Sequence, residues 1–215
     1  LLGDPSSTSS AIIIPKPGST SLYYIFTIDE PHQDNASVYP NQFTGNYTDN
    51  GGSIPNIDNG YNDGVSYSLL DLDLENGLGN IAESEKNVQL ITYNPFNNSE
   101  ASYKSSEKVT AIASSDGDSY WVVVHFKNKF YSFNVSEAGV NTEAVISTVG
   151  PMISTNGYRR NAIGHMKISP DGSRLAICHN ENGNVTGENS FNTGSFCTIF
   201  CLVSLTLTLS GFDMP

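Results

Sequence analysis

The chain has 215 residues, 38% of them hydrophobic, which is enough apolar matter for a core and excludes a disordered tail. Ten Lys plus Arg against 22 Asp plus Glu leave a net charge of -12, which opposes phosphate backbones and anionic lipid and argues against a nucleic-acid partner. Only 15% of residues are charged, while 23 Asn, 28 Ser and 19 Gly supply polar, uncharged surface of the kind common on exported proteins.

Helical periodicity is almost absent, and short runs rich in Ile, Val, Tyr, Phe and Thr alternate with Gly, Asn and Pro clusters, so the fold class expected is all-β. The opening Leu1-Leu2-Gly3-Asp4-Pro5 has no basic start followed by an apolar core, and reads as a cut or processed end. A first block predicts strands at 11–14, 23–28, 67–74 and 88–93. Leu70, Leu72 and Leu74 alternate there with Asp71, Asp73 and Glu75, as in a strand wet on one face. A second block predicts strands at 109–113, 120–126, 130–135 and 144–149, and a third at 165–168, 174–178, 196–202 and 205–209. The runs Tyr23-Tyr24-Ile25-Phe26 and Trp121-Val122-Val123-Val124 are apolar at successive positions, which suits strands covered on both faces.

Turn chemistry repeats with the strands. Ser169-Pro170-Asp171-Gly172, Ser114-Ser115-Asp116-Gly117 and Pro15-Lys16-Pro17-Gly18 all fall between the first and second run of a block, where Gly supplies a positive φ. Four strands per module, three times over, predict a β-propeller segment of about three four-stranded antiparallel blades. One partial domain over 1–215 is expected: blade one at 11–93 with insertion 30–64, blade two at 107–150, and blade three at 163–210 with insertion 180–194. Propellers close with about four to eight blades, so three leave apolar faces in need of cover. That cover is expected from neighbouring blades of the same longer chain, or from a second copy completing the ring.

The strings LLGDPSSTSSAIIIPKPGSTSLYYIFTID, SEKVTAIASSDGDSYWVVVHF and IGHMKISPDGSRLAI resemble the N-terminal propeller region of large Bacteroidetes surface proteins exported by type IX secretion, with WD40-like, SPDG-type repeats. The likeness spans all three blocks. It implies a secreted or outer-membrane-associated location and no catalytic residues. The chain departs from the family pattern at His125-Phe126-Lys127, where His, Gly and Trp would follow the Val pair, and in the nearly uninterrupted apolar run 197–209.

Function is expected on the loop-rich rim that carries both insertions. In the first, Asp58, Asn62 and Asp63 space oxygen donors that suit calcium, although no closing Glu makes an EF-hand. Tyr61, with Tyr39, Phe43 and Tyr47, offers rings that stack on sugars, and Tyr158, Arg159 and Arg160 form a local cationic site for carboxylates or acidic sugars. The alternative for the Asn, Asp and Gly residues is a solvated turn, and for the aromatics loop packing. Sequons stand at Asn35, Asn46, Asn97, Asn134 and Asn184. His32, His125, His165 and His179 lie scattered without metal-ligand spacing, and Cys178, Cys197 and Cys201 form no CxxC pair, so buried apolar roles are expected for the thiols, with a single disulfide as the alternative. The run from Phe196 to Leu209 is too short for a span of about 20 helical residues.

These features predict a non-enzymatic surface module for adhesion, recognition or scaffolding, with a protein or glycan ligand, no nucleic acid, no membrane span and no cofactor beyond calcium. The alternatives are a propeller enzyme, lactonase-like or a hydrolase or lyase with a central site, and a structural subunit of a surface assembly.

Overall fold

The computed structural model describes residues 1–3, 7–29, 48–49, 52–53, 63–150, 152, 162–180 and 195–201. They are all-β, arranged as three antiparallel sheets in chain order. The first sheet comprises β1 (Ala11–Pro15), β2 (Leu22–Ile28), β5 (Val65–Asp71), β6 (Asn80–Ile81) and β7 (Val88–Leu90). Between β2 and β5 lies a separate two-residue hairpin, β3 (Thr48–Asp49) and β4 (Gly52–Ser53). The second sheet holds β8 (Val109–Ala113), β9 (Tyr120–Phe126), β10 (Lys129–Ser136), β11 (Gly139–Val140) and β12 (Val145–Ser147), and the third β13 (Met166–Ile168), β14 (Arg174–Asn180) and β15 (Ser195–Cys201). The predicted run 205–209 lies outside the described residues.

Each sheet is a meander in which consecutive strands pair. The outer lane is divided. β6 pairs with the Asp71 end of β5 and β7 with its Val65 end; β11 and β12 share the free edge of β10 in the same way. The single fourth strand expected in each of the first two blocks is therefore two short ones. The third strand also stops earlier than the Leu70, Leu72, Leu74 alternation suggests. The Asp73 N–H donates to the Asp71 carboxylate at 2.9 Å, closing an Asx turn, and Glu75, Asn76, Gly77 and Gly79 follow with positive φ. Leu72 and Leu74 are exposed in consequence. A short helix, α1 (Asn98–Tyr103), occupies the link between the first two sheets, where no helix was expected.

All three repeated turns form as expected between first and second strands. Gly18, Gly117 and Gly172 have φ of 74°, 78° and 69°, and the N–H groups of Gly117 and Gly172 donate to Ser114 and Ser169. The Ser169 hydroxyl donates to Asp171 at 2.5 Å and the Ser173 N–H adds 3.1 Å; Ser114 and the Asp118 N–H bind Asp116 alike. The Ser169 hydroxyl and then Ser173 hold the Asp171 carboxyl down to about 2.

Alternation along the strands gives each sheet two faces, and the register aligns them. Tyr24 stands between Ile14 and Leu69 in one cross-strand row, and Phe26 between Ile12 and Tyr67 in the next on the same face. This face packs on Val109, Val122, Val124, Phe126, Tyr131, Phe133 and Val135 of the second sheet. Tyr24 and Tyr67 meet edge to face at 5.6 Å within that layer. The opposite face of the second sheet, with Val123 and Phe130, packs on Met166, Ile168, Leu175 and Ile177 of the third. The second sheet is thus buried on both sides, as the doubly apolar run 121–124 suggests.

Spacing between sheets is uneven. β8 lies against β1 on one side and β13 on the other, so the first strands are where adjacent sheets come closest. At those strands the filling side chains are modest, Val109 and Ala111 against Ile12 and Ile14, while the bulky Phe26, Tyr67, Tyr131 and Phe133 sit on second and third strands. The described residues do not close into a ring. The outer face of the first sheet is mixed rather than uniformly apolar: Ile13 is exposed, but Thr27, Ser66 and Ser68 are buried, and Gly3 lies against Thr27 and Ile28.

Gly150 is where the second sheet's exit passes its own core. A Cβ there would meet His125 Nε2 at 2.7 Å and Phe130 at 3.2 Å, and neither ring has room to retreat because both are buried.

Two outcomes test this packing. Phe133→Ala removes a fully buried ring between the first two sheets and is expected to cost about 3–5 kcal/mol in urea unfolding. In NMR titration Asp171 protonates near pH 2, and Ser169→Ala returns it toward the usual aspartate range. Because its folded value is depressed, the stability from Asp171 is present above the ordinary aspartate value and lost as pH falls through about 2.

Candidate functional site

The strand beginnings of the three sheets converge on a polar cluster. The segment Ser105-Ser106-Glu107-Lys108, immediately before β8, is buried throughout, and the side chains of its last three residues are hydrogen-bonded, while the Ser105 hydroxyl has no partner among the described residues. The Ser106 N–H and hydroxyl both donate to the His125 carbonyl, at 3.2 and 2.6 Å. The Glu107 N–H and Lys108 Nζ both donate to the Ala162 carbonyl, at 3.2 and 2.7 Å, tying the second sheet to the chain entering the third. Glu107 Oε2 accepts from the Thr8 N–H at 2.7 Å and the Thr8 hydroxyl at 2.5 Å, tying it to the chain entering the first. Ser9 Oγ and His165 Nδ1 stand 3.2 Å apart on the exposed side of the cluster.

Burial dominates the electrostatics of Lys108. It pushes the amine down to about 7, while the negative charge of Glu107 opposes the shift. An amine tuned this way has the basicity of a general base or an imine-forming nucleophile. Lys108 is nevertheless fully enclosed, with Nζ on a backbone carbonyl, so its chemistry here is cross-linking by hydrogen bond.

Beside the cluster, the ends of the first insertion are anchored on the same rim. The Asp63 N–H donates to the Asp29 carboxylate at 2.5 Å, the Asp29 N–H donates to Gly64, and Gln89 donates to the Asp63 carbonyl at 2.8 Å. Gly64 abuts Lys104 of the link. Nearby, Lys127 and Glu100 pair at 2.9 Å. Burial pushes the Glu100 carboxyl up, but the Asn94 N–H and Lys127 together outweigh it and hold the group below its usual range.

A groove of about 890 Å³ opens at the other ends of the strands. Lys16 and Gly18 of the β1–β2 turn line it with Tyr120 at the start of β9 and Asp118 and Glu137 from turns of the second sheet. It is separated from the buried cluster by the length of β8, so this groove and the amine of altered basicity do not coincide.

Of the residues singled out by sequence, Tyr61, Tyr158, Arg159, Arg160, Asp58 and Asn62 lie outside the described residues. Asp63 is described, and its backbone closes the foot of the insertion on Asp29. Among the described residues no group of three or more His, Cys, Asp and Glu is placed to hold a metal ion, and no helix is long and apolar enough to cross a membrane. His125 is buried in β9 and His165 is exposed before β13. The Glu107–Lys108 cluster was missed by sequence reading. Its only local signal is that Lys108 shares the strand alternation of Thr110 and Ile112, the face turned to the third sheet. No family model, no curated protein and no solved structure matches the chain.

The enclosed amine gives a pH signature. Its folded value lies below its unfolded one, so stability is greatest above the ordinary lysine value of 10.5, falls as pH drops from there to about 7, and is level below that. The unfolding free energy from urea titrations should rise between pH 7 and 9 with a slope approaching roughly 1.4 kcal/mol per pH unit, and Lys108→Met should flatten that slope.

Proposed function

We propose that the three sheets are consecutive blades of a β-propeller and that the chain serves as a non-enzymatic recognition module on the outside of the cell. The observation that carries this reading is the position of β8, closest to both β1 and β13, with large aromatic side chains filling the wider space behind. Sheets that approach at one edge and spread at the other fan about an axis, whereas stacked sandwiches keep an even separation of about 10 Å. The low proportion of charged residues and the Ser- and Asn-rich composition support an exported location.

In this reading the ligand, a protein or glycan, is taken on the rim where the strands of each first lane begin. The segments carrying Tyr61 and Tyr158-Arg159-Arg160 both return to described chain at that rim, at Asp63 and Ala162. Aromatic faces and guanidinium forks suit sugar rings and carboxylates.

A glycan and protein array probed with the whole chain is expected to give saturable binding. Tyr61→Ala, and the combined Tyr158→Ala, Arg159→Ala and Arg160→Ala variant, should each weaken it about tenfold, the loss expected of an anchoring residue. Binding indifferent to both changes, or chemical turnover of a bound ligand, would overturn the reading.

A further inference from the structure

Three cysteines allow three pairings, and the strand register leaves one. In the antiparallel pair β14–β15, Cys178 stands directly opposite Cys197, and Cys201 stands opposite Arg174. Cys197 and Cys201 are four residues apart on one strand, roughly 13 Å at about 3.3 Å per residue. Cys178 is about as far from Cys201, and a disulfide needs Cα atoms within roughly 7 Å.

The kind of register position matters as well. The Cys178 N–H donates to the His165 carbonyl at 2.8 Å, so its backbone polar groups face the β13 side of the sheet and not β15. The Cys178–Cys197 pair is therefore of the non-hydrogen-bonded kind, in which Cα atoms approach to about 4.5 Å. That separation falls within the disulfide range of about 4.4–6.8 Å, and directly opposed residues share one face of a sheet. Cys178 is half-buried, not sealed in the core.

We propose that Cys178 and Cys197 form a cross-strand disulfide joining β14 to β15, with Cys201 left as a thiol. The inference rests on strand register and is independent of the propeller reading. The reaction is thiol–disulfide exchange with a low-molecular-weight disulfide as oxidant. One protein thiolate attacks a sulfur of that disulfide, giving a mixed disulfide and releasing one small thiolate; the second protein thiolate then displaces the other. Two protein thiols are oxidised, one small disulfide is reduced to two small thiols, and the two protons pass to them. The bond spans residues 179–196 and closes that segment at its foot on the sheet.

Peptide mapping of the whole chain tests the proposal. No Lys or Arg follows Arg174, so trypsin leaves all three cysteines on one peptide, whereas cleavage after Glu181 and Phe200 separates them. After equilibration in oxidised and reduced glutathione, acid quench and alkylation, the expected product links the Cys178 and Cys197 peptides and is dissolved by reduction. Cys201 should be alkylated in both samples. Three alkylated thiols in the oxidising buffer, or a link through Cys201, would sink the proposal. In the oxidised chain Cys178→Ser, Cys197→Ser and the double variant should each lower the melting temperature by the same amount, about 5 °C or more. Additive losses would also count against the bond. If a variant fails to fold, the map of the unaltered chain decides alone.

Discussion

The second sheet is the constraint on which the rest of the structure depends, because it packs apolar side chains on both of its faces. Val122, Val124 and Phe133 face the first sheet while Val123 and Phe130 face the third. With two opposed layers of side chains to satisfy, a one-residue slip in β9 would exchange its entire contact set between neighbours. This pins the register of the sheet and, through it, the positions of the flanking sheets. Gly150 belongs to the same constraint, since the chain leaving the sheet must pass against His125 and Phe130 with no side chain of its own.

Where the sheets come closest, apolar packing gives way to a polar knot. The Ala162 carbonyl receives both the Glu107 N–H and Lys108 Nζ, while the Glu107 carboxylate receives two donors from Thr8. Segments about fifty and a hundred residues distant in sequence are thereby fastened to the four residues before β8. Burying an amine carries a desolvation penalty, visible in the depressed basicity of Lys108, and the short hydrogen bond to a backbone carbonyl offsets part of it. Removing one partner would leave the others buried without full compensation, so the knot works as a unit.

The two ends of the strands have different characters. At the beginnings of the first strands lie the buried knot, the anchored feet of the first insertion and the Lys127–Glu100 pair. At their ends lie the hairpin turns, stiffened by Ser-to-Asp hydrogen bonds that recur in the second and third sheets, and the groove beside Lys16 and Glu137.

Sequence alone determined the all-β class, the first and second strands of the first two sheets and the three recurrent turns, because each depends on local preference: alternating or continuous apolar runs, and Gly where φ must be positive. It did not reveal that Asp71 would cap β5 early, since a side chain accepting from the backbone two residues on competes with continued pairing only once the turn geometry exists. Nor did it reveal the Glu107–Lys108 cluster or the opposition of Cys178 and Cys197. Thr8, Lys108 and Ala162 carry no mark of one another in the chain, and two cysteines 19 positions apart become neighbours only through strand register. Those relations are long-range, and only the tertiary structure decided them, by fixing which backbone carbonyl, carboxylate or strand position each residue meets.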